Sequence, residues 1–349
     1  MMKRGAWQRS AISLSVVVVL LVAFVGIRAL LAMGVFTRIE PQFAGVCRTI
    51  TGLSGPGDMQ LDAADGLVFI SAQNRGGAMG AKDGIYTLAV AGEAQPVRAA
   101  GTPADFHPGG LSLFRAPDNS LTLMVVNHLS AGPYAVEVFG VTVADGKVTL
   151  TPRTTVAGGL LIHPNDVVAA GTEAFYVTND STVKNPKYRD WANYLLLRQS
   201  NVLYFDGNNL RPVARGLDFA NGIQISPHGD YVYVAASWGR AIVSYARQPF
   251  TGALTYPQSL SLPTRPDNLD MDAEGNLWVG GQPKFLATRG HAPSQIFRVL
   301  VQGGRPTLAT PVYVNDGSQI SGSSTGVAMG KRLFISAGGD KKILDCKMN

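Results

Sequence analysis

Downstream of residue 36, hydrophobic residues recur in short runs, and no long stretch repeats them with the period of a helix. Six runs have the length and the aliphatic and aromatic composition of β-strands, at residues 66–71, 123–128, 174–179, 231–236, 276–281 and 332–337. Successive spacings are 56, 51, 57, 45 and 56 residues between the equivalent positions Phe69, Val125, Tyr176, Tyr233, Trp278 and Phe334. A strand repeat of about 50 residues is typical of four-stranded propeller blades, so the pattern predicts an all-β fold, a six-bladed β-propeller.

Each of these strands follows a partner strand, and turns rich in Asp, Gly and Asn join the two, as at residues 64–66 and 227–230. Gly and Asn supply the positive φ that tight hairpins need. In a propeller the first strand of each pair would be innermost, so six strand starts would converge on the central channel. An ordinary β-sandwich or barrel is the alternative, but such domains rarely exceed about 250 residues.

The two ends of the globular part are expected to meet. A propeller must close, and we expect residues 39–51 to pair with the C-terminal strands. The chain has two cysteines, Cys47 and Cys346, which lie near these ends. In an oxidising compartment a disulfide would join them, whereas in the cytosol two free buried thiols would be expected.

The N-terminal segment differs from the rest. Residues 11–36 are almost wholly apolar, with Arg28 as the only charge, and about 20 such residues suffice to cross a bilayer. Lys3, Arg4 and Arg9 precede the run, so the positive-inside bias places the N-terminus in the cytoplasm and the remainder outside. We therefore expect a basic flank and transmembrane signal-anchor over residues 1–36 and a propeller over 37–349. A cleaved signal peptide with a secreted propeller is the alternative.

Charge and composition fit this division. The formal charge is +6, and the four basic residues in the first 34 positions leave +2 for the rest, so no nucleic-acid surface is indicated. A charged content of 15% with 40 glycines and 20 prolines favours many short strands over long surface helices.

The expected strand starts are biased toward oxygen donors: Asp58, Asn165, Asp166, Asn221, Asp267 and Asn268. Calcium binds carboxylate, amide and backbone oxygens, whereas zinc prefers His and Cys, which are absent from this set. Carboxylates crowded in a channel repel one another unless a cation neutralises them. Asn and Asp are also common turn residues, and that is the alternative for each one alone. Their shared position in four of the six repeats favours a calcium site.

Several motifs, taken in order, carry a family resemblance. They are Gly-Asp-Met at 57–59, Gly-Leu-Val-Phe-Ile-Ser at 66–71, Val-Val-Asn-His at 125–128, Pro-Asn-Asp-Val-Val at 164–168, Phe-Tyr-Val-Thr-Asn-Asp at 175–180, Asp-Phe-Ala-Asn-Gly-Ile at 218–223, Asp-Asn-Leu at 267–269 and Leu-Trp-Val-Gly at 277–280. From about Cys47 to Cys346 the chain resembles the paraoxonase and arylesterase family of calcium-dependent lactonases and, more distantly, gluconolactonase-like propellers. The two cysteines match that family's terminal disulfide, and the hydrophobic N-terminus is similar too.

The resemblance implies two calcium ions. The family's catalytic ion falls on Asn165, Asn221, Asp267 and Asn268. Its structural ion falls on Asp58 and Asp166, with the backbone carbonyl of Leu111 as a further ligand. Asn165 and Asp166 would then serve different ions, as adjacent strand residues that point to opposite sides can do.

The sequence also departs from the family pattern. Gly57 stands where the family has a glutamate ligand of the catalytic ion, and Gly109 stands where it has the first histidine of a proposed dyad. His128 matches the second histidine of that dyad, and His107 is a candidate substitute for the first. Gln282 stands where a further family histidine lies.

The resemblance implies a calcium-dependent hydrolase of lactones and/or aryl esters. In this hypothesis calcium polarises the carbonyl, Asp267 is a ligand and a base or nucleophile, and His128 assists proton transfer. The alternative is a non-catalytic, calcium-stabilised propeller that binds a ligand or protein on its top face, which the Gly57 and Gly109 departures would fit.

Two further features concern access to the top face. Residues 185–200 are expected to form a helical lid, or else a plain insertion between blades. Trp238, Tyr194 and Phe285 are candidates to line a substrate mouth, with surface or packing roles as the alternative.

Overall fold

The computed structural model describes residues 3–74, 82–130, 132–284 and 291–349. Phe285 lies outside the described residues. Two helices are present in these ranges, α1 (Lys3–Ala32) and α2 (Pro186–Tyr194). The strands, in chain order, are β1 (Gln42–Phe43), β2 (Gly45–Thr51), β3 (Pro56–Asp62), β4 (Leu67–Ala72), β5 (Gly84–Ala89), β6 (Val97–Arg98), β7 (Pro108–Arg115), β8 (Leu121–Asn127), β9 (Ala135–Ala144), β10 (Lys147–Ala157), β11 (Pro164–Ala169), β12 (Phe175–Asn179), β13 (Ser200–Phe205), β14 (Leu210–Leu217), β15 (Ala220–Ile225), β16 (Tyr231–Ala236), β17 (Ala241–Arg247), β18 (Leu254–Ser261), β19 (Arg265–Met271), β20 (Leu277–Gln282), β21 (Ser294–Gln302), β22 (Arg305–Asn315), β23 (Gly326–Met329), β24 (Arg332–Ile335) and β25 (Lys342–Met348).

The strands form six antiparallel sheets, so the predicted six-bladed propeller is confirmed. Blades 1 to 4 are the consecutive sets β3–β6, β7–β10, β11–β14 and β15–β18. Blade 5 is β19–β22 with β1 at its outer edge, and blade 6 is β23–β25 with β2 at its outer edge. The first strand of each blade contacts the first strands of its two neighbours, and these six strands surround the axis. The mouth is defined here as the face where these inner strands begin.

Packing between blades builds the core. Six clusters of buried side chains lie in the ring, and each one joins two neighbouring blades. In one of them Phe69 of β4 packs with Val125 of β8, and in another Tyr176 of β12 packs with Val234 of β16. The repeated aromatic and aliphatic positions of the sequence are therefore the contacts by which each blade covers the next.

The two ends of the chain close the ring in blade 6, as predicted. Strand β2 pairs with the C-terminal strand β25, and Cys47 lies directly opposite Cys346. The two cysteines form a disulfide that spans 299 residues of sequence, which confirms the predicted bridge. Strand pairing and a covalent bond thus hold the same seam.

Both helices reach the mouth side of the propeller, α1 by its C-terminal end. Within α1, Ser13–Ala32 is long and apolar enough to cross a membrane. Its C-terminus meets the mouth, where Arg240 Nη1 donates to the Ala32 carbonyl at 3.3 Å. Helix α2 lies in the connection from β12 to β13. Asn185 is its N-cap, and the Asn185 side chain accepts a hydrogen bond from the Lys187 amide at 3.0 Å. The expected helix within residues 185–200 is therefore present.

Candidate metal centre

Backbone bulges position the candidate ligands. In five of the six inner strands the pairing register shifts near the start, at Pro56/Asp58, Pro108/Leu111, Pro164/Val167, Ala220/Ile223 and Pro266/Leu269. A bulge bends its strand and re-aims side chains, so successive residues can face different parts of the channel. The six oxygen-donor residues singled out in the sequence all lie at or within these bulges.

Three asparagines at the mouth each use the side-chain nitrogen as a hydrogen-bond donor: Asn165, Asn221 and Asn268. Each donates through Nδ2, Asn165 to Asp180 Oδ2 at 3.2 Å, Asn221 to Asp267 Oδ1 at 2.6 Å and Asn268 to the Gly57 carbonyl at 3.0 Å. Within the described ranges no hydrogen bond reaches Oδ1 of Asn221, and this oxygen is buried. An amide whose nitrogen is engaged and whose buried oxygen has no donor suits a cation ligand.

Asp267 is the carboxylate of this ring. Its Oδ1 accepts from Asn221, while its Oδ2 accepts from Ser324 Oγ at 2.7 Å and from Gln282 Nε2 at 3.0 Å. The side chain therefore joins blades 4, 5 and 6 at the mouth. Gln282, at the position of a family histidine, is a direct partner of Asp267.

The serine-rich loop before β23 reads Gly-Ser-Ser-Thr-Gly at residues 322–326, which matches the pattern of a hydrolase nucleophile elbow. The elbow requires an exposed serine on a strand-to-helix turn. Here the middle serine, Ser324, donates to Asp267, and a strand follows the loop. The loop therefore supports Asp267 and does not form an elbow.

Gly57 faces the same ring. Its carbonyl accepts from Asn268 Nδ2 and from Thr325 Oγ1 at 3.2 Å. A Cβ at this position would meet nothing closer than the Gly55 carbonyl oxygen, 3.9 Å away. The position where the sequence comparison led us to expect a glutamate therefore has room for a side chain.

Asp58 and Asp166 lie deeper in the channel, around a small enclosed space that Leu111 also lines. Asp58 Oδ2 accepts from the Leu111 amide at 2.9 Å, and Asp166 Oδ2 accepts from the Ile223 amide at 2.8 Å. Burial raises the pKa of Asp58 to about 7, and burial together with the charge of Asp58 raises the pKa of Asp166 well above its usual range. Both carboxylates are therefore unfavourable as isolated anions, which suits a bound cation between them.

His128 lies beside the mouth, half-buried. Its Nε2 donates to the Pro164 carbonyl at 3.0 Å, one residue before Asn165. A Cβ on Gly109 would lie 3.0 Å from His128 Cε1 and 3.4 Å from the Asn165 carbonyl oxygen. Position 109 is thus adjacent to His128.

His107 is engaged elsewhere. Its Nδ1 lies 2.5 Å from Asp83 Oδ2 and its Nε2 lies 2.7 Å from Ser130 Oγ, while Asp105 Oδ1 is 3.1 Å from Nε2. Both ring nitrogens therefore have partners outside the ring of asparagines, so the structure does not place His107 in the position of Gly109.

Two features near the mouth were not predicted from the sequence. His163 Nδ1 lies 2.6 Å from Asp180 Oδ1, and Asp180 is the acceptor for Asn165, so this pair supports a candidate ligand. Arg265 stacks on Trp238, with its guanidinium carbon 4.2 Å from the ring centroid. A histidine two residues before Asn165 and an arginine two residues before Asp267 were the only signals.

The donor set fits calcium better than a transition metal. Among the residues that the structure describes, no three His, Cys, Asp or Glu side chains come together to hold a metal ion. Amide and backbone oxygens would therefore complete each coordination sphere, and this mixture is typical of calcium sites.

The fold and this ring define a class: six-bladed propellers whose central mouth is lined by oxygen donors. The sequence profile of the arylesterase family matches residues 60–348. The chain therefore belongs to the arylesterase family, and the family resemblance drawn from the sequence is confirmed.

Individual relatives agree with this assignment. The chain is 36% identical to human serum paraoxonase/arylesterase 1 over 238 residues, which is 66% of each chain, and 36% identical to rat serum paraoxonase/arylesterase 2 over 239 residues, again 66% of each. Among solved structures, a gluconolactonase from Xanthomonas campestris superposes with a TM-score of 0.54 at 18% identity, covering 89% of this chain and 98% of the other. That last similarity concerns the fold.

Proposed function

We propose that this protein is a calcium-dependent hydrolase of lactones and/or aryl esters. The observation that carries the proposal is the ring of three asparagines around Asp267, in which the buried Oδ1 of Asn221 has no donor from the described part of the chain. Membership of the arylesterase family supports the ester or lactone as the substrate class. We infer two ions, one at the mouth and one in the enclosed space below it.

At the mouth, Asn165, Asn221, Asp267 and Asn268 would hold the catalytic ion. A calcium ion there supplies a Lewis acid that polarises the substrate carbonyl and stabilises the oxyanion. The neutral amides orient their oxygens without adding charge. Asp267 acts as a ligand and, through its carboxylate, as the base or nucleophile of the reaction. His128, fixed by the Pro164 carbonyl, moves a proton at the edge of the ring.

In the channel, Asp58 and Asp166 would hold the structural ion, with the Leu111 carbonyl as a third ligand. Both carboxylates are buried, and each disfavours the charge of the other. Their role is therefore to join blades 1, 2 and 3 around the axis through a cation.

The experiment is hydrolysis of phenyl acetate, a γ-lactone and a δ-lactone by the purified full chain, with calcium and after chelation. We expect turnover with calcium and its loss on chelation. Elemental analysis should find two calcium ions for each chain. Calcium-loaded protein that turns over none of these substrates would contradict the proposal.

We further propose that α1 anchors the protein in a membrane with the propeller outside the cytoplasm, in a periplasmic, luminal or extracellular compartment. The apolar span of Ser13–Ala32 and the Cys47–Cys346 disulfide support this location. Residues 1–36 would then be the anchor and 37–349 the hydrolase domain. Membrane fractionation, protease accessibility and N-terminal sequencing test this, since a secreted, cleaved form would be soluble and would lack α1.

A further inference from the structure

An arginine and a tryptophan lie directly beside the Asn221–Asp267 pair. Arg265 and Trp238 are both nearly buried, with 8% and 9% of their surfaces exposed, and they stack on one another. Ser237, which precedes Trp238, accepts from Asn221 Nδ2 at 3.1 Å and donates to the Pro266 carbonyl at 2.5 Å. The serine that holds one candidate ligand thus also joins the segments that carry the arginine and the tryptophan.

A basic group lies beside the carboxylate of the mouth. The guanidinium of Arg265 is charged at neutral pH, as arginine side chains in proteins are. The acidic group that favours this charge is Asp267, and the Arg240 guanidinium opposes it. Asp267 is also the one carboxylate among the four proposed ligands of the mouth ion. Asp267 would therefore lie next to both a divalent cation and a guanidinium.

We propose that Arg265, held flat by Trp238, forms a subsite for an anionic group of the substrate, so that the preferred esters or lactones carry a carboxylate near the reacting carbonyl. The inference rests on the proposed hydrolase function and names its substrate class. A planar guanidinium binds a carboxylate through paired hydrogen bonds, and its burial strengthens that attraction. The glycine at position 57 acts in the same direction, because it adds no carboxylate that would repel an anion on its side of the ring.

The test compares two esters that differ in one charge: the monophenyl ester of adipic acid and its methyl phenyl diester. Phenol release by the calcium-loaded full chain gives kcat/KM for each. We expect the wild-type protein to favour the anionic ester. Arg265→Gln should lower kcat/KM for the anionic ester by about 10- to 100-fold and change the value for the neutral diester much less. Arg265→Lys should recover part of the preference, because it keeps the charge and loses the planar stack.

The matched control is Arg211→Gln. Arg211 also stacks on an aromatic ring, that of Tyr204 at 5.0 Å, and it lies on the outer strand of blade 3. This variant should leave the ratio of the two kcat/KM values unchanged. Equal losses for both esters in Arg265→Gln would show that Arg265 only supports Asp267, and would overturn the subsite.

A second measurement separates the subsite from the hydrolase function. The probe is 4-phenylbutanoate, a carboxylate with no ester bond, titrated by calorimetry into calcium-loaded protein. We expect binding by the wild-type protein and its loss in Arg265→Gln, with thermal unfolding showing that both are folded. If neither ester is turned over, the hydrolase proposal fails and this binding result still decides the subsite. Equal binding by both proteins, or none by either, would overturn it.

Discussion

The ring of asparagines at the mouth and the aspartate pair in the channel lie on the same bulges, but their side-chain oxygens differ in the hydrogen bonds that they accept. At the mouth, Asn221 donates through its side-chain nitrogen, and its buried Oδ1 has no donor among the residues that the structure describes. In the channel, Asp58 and Asp166 each accept two backbone amides. The mouth thus presents neutral oxygens to a cation, whereas the channel holds two carboxylates whose negative charges are unfavourable without a cation.

This difference separates reactivity from stability. Amide ligands leave a cation electrophilic because they do not neutralise it, whereas two buried carboxylates neutralise it almost completely. We therefore expect changes in the channel to act on the folded state and changes at the mouth to act on turnover.

The largest effect is expected for Asp166→Asn. If the channel ion is present at about 1,000 times its Kd, its loss lowers the free energy of unfolding by about 4 kcal/mol. After chelation, the difference in free energy of unfolding between the variant and the wild-type protein should shrink or reverse. Asparagine is neutral, so neither burial nor the nearby charge of Asp58 destabilises it. Chemical denaturation with and without calcium measures both values.

The matched control for that variant is Asp206→Asn in an exposed turn, where Asp206 accepts from two backbone amides at 3.0 and 2.8 Å. Its effect should be smaller and the same with and without calcium. If the loss of unfolding free energy in Asp166→Asn is the same with and without calcium, the channel holds no ion.

The pH dependence of the calcium-free protein comes next. Burial raises the pKa of Asp58 to about 7, above the usual value of an aspartate in an unfolded chain, so the folded state binds the proton more tightly. This contribution is complete at low pH and is lost as the pH rises from about 4 to about 7, by on the order of 3 kcal/mol. Calcium should weaken the trend. Without calcium, Asp58→Asn should reduce the trend but not remove it, because burial also raises the pKa of Asp166 and of Asp270. Denaturation at pH 5 and pH 8 measures it, and a calcium-free protein that is more stable at pH 8 would contradict it.

At the mouth, Asp267→Asn should lower kcat by about 100-fold or more, since it removes the only proposed anionic ligand of the ring. Stability should fall less than in Asp166→Asn. The comparison uses phenyl acetate turnover and denaturation on the same preparations. A variant that unfolds as easily as Asp166→Asn while keeping its activity would reverse the roles of the two regions.

The spacing of strands was enough to predict the propeller, because each blade repeats one buried pattern and the repeat length is visible along the chain. The ring of donors followed because the inner strands begin at equivalent points. Support for those donors was not predictable in the same way. Asp180 contacts His163 and Asn165 within blade 3, and this depends on the register of the β11–β12 pair. Arg265 contacts Trp238 of another blade, and this depends on blade orientation that no local pattern encodes. The engagement of His107 by Asp83 and Ser130 is of the same kind.

Gly57→Glu would make the mouth more like the channel, because both would then contain two carboxylates among their proposed ligands. The position has room for a side chain, and a glutamate there would add a second carboxylate to the mouth. We expect about tenfold tighter calcium binding at the mouth, from roughly 1.4 kcal/mol of added attraction. Calcium titration by calorimetry measures it. Gly159→Glu, at an exposed position with open space around it and no positive φ, controls for added charge. An unchanged affinity in Gly57→Glu would place the catalytic ion away from this side of the ring.

The smallest effect should come from Ser237→Ala. Ser237 touches no proposed ion, and it orients Asn221 while it binds the Pro266 carbonyl next to Asp267. Loss of these hydrogen bonds is worth about 1 kcal/mol, so kcat/KM for phenyl acetate should fall about fivefold. Ser244→Ala, on the third strand of the same blade, is the control and should leave kcat/KM unchanged. If Ser237→Ala lowered stability and spared turnover, the mouth would depend on packing and the distinction from the channel would fail.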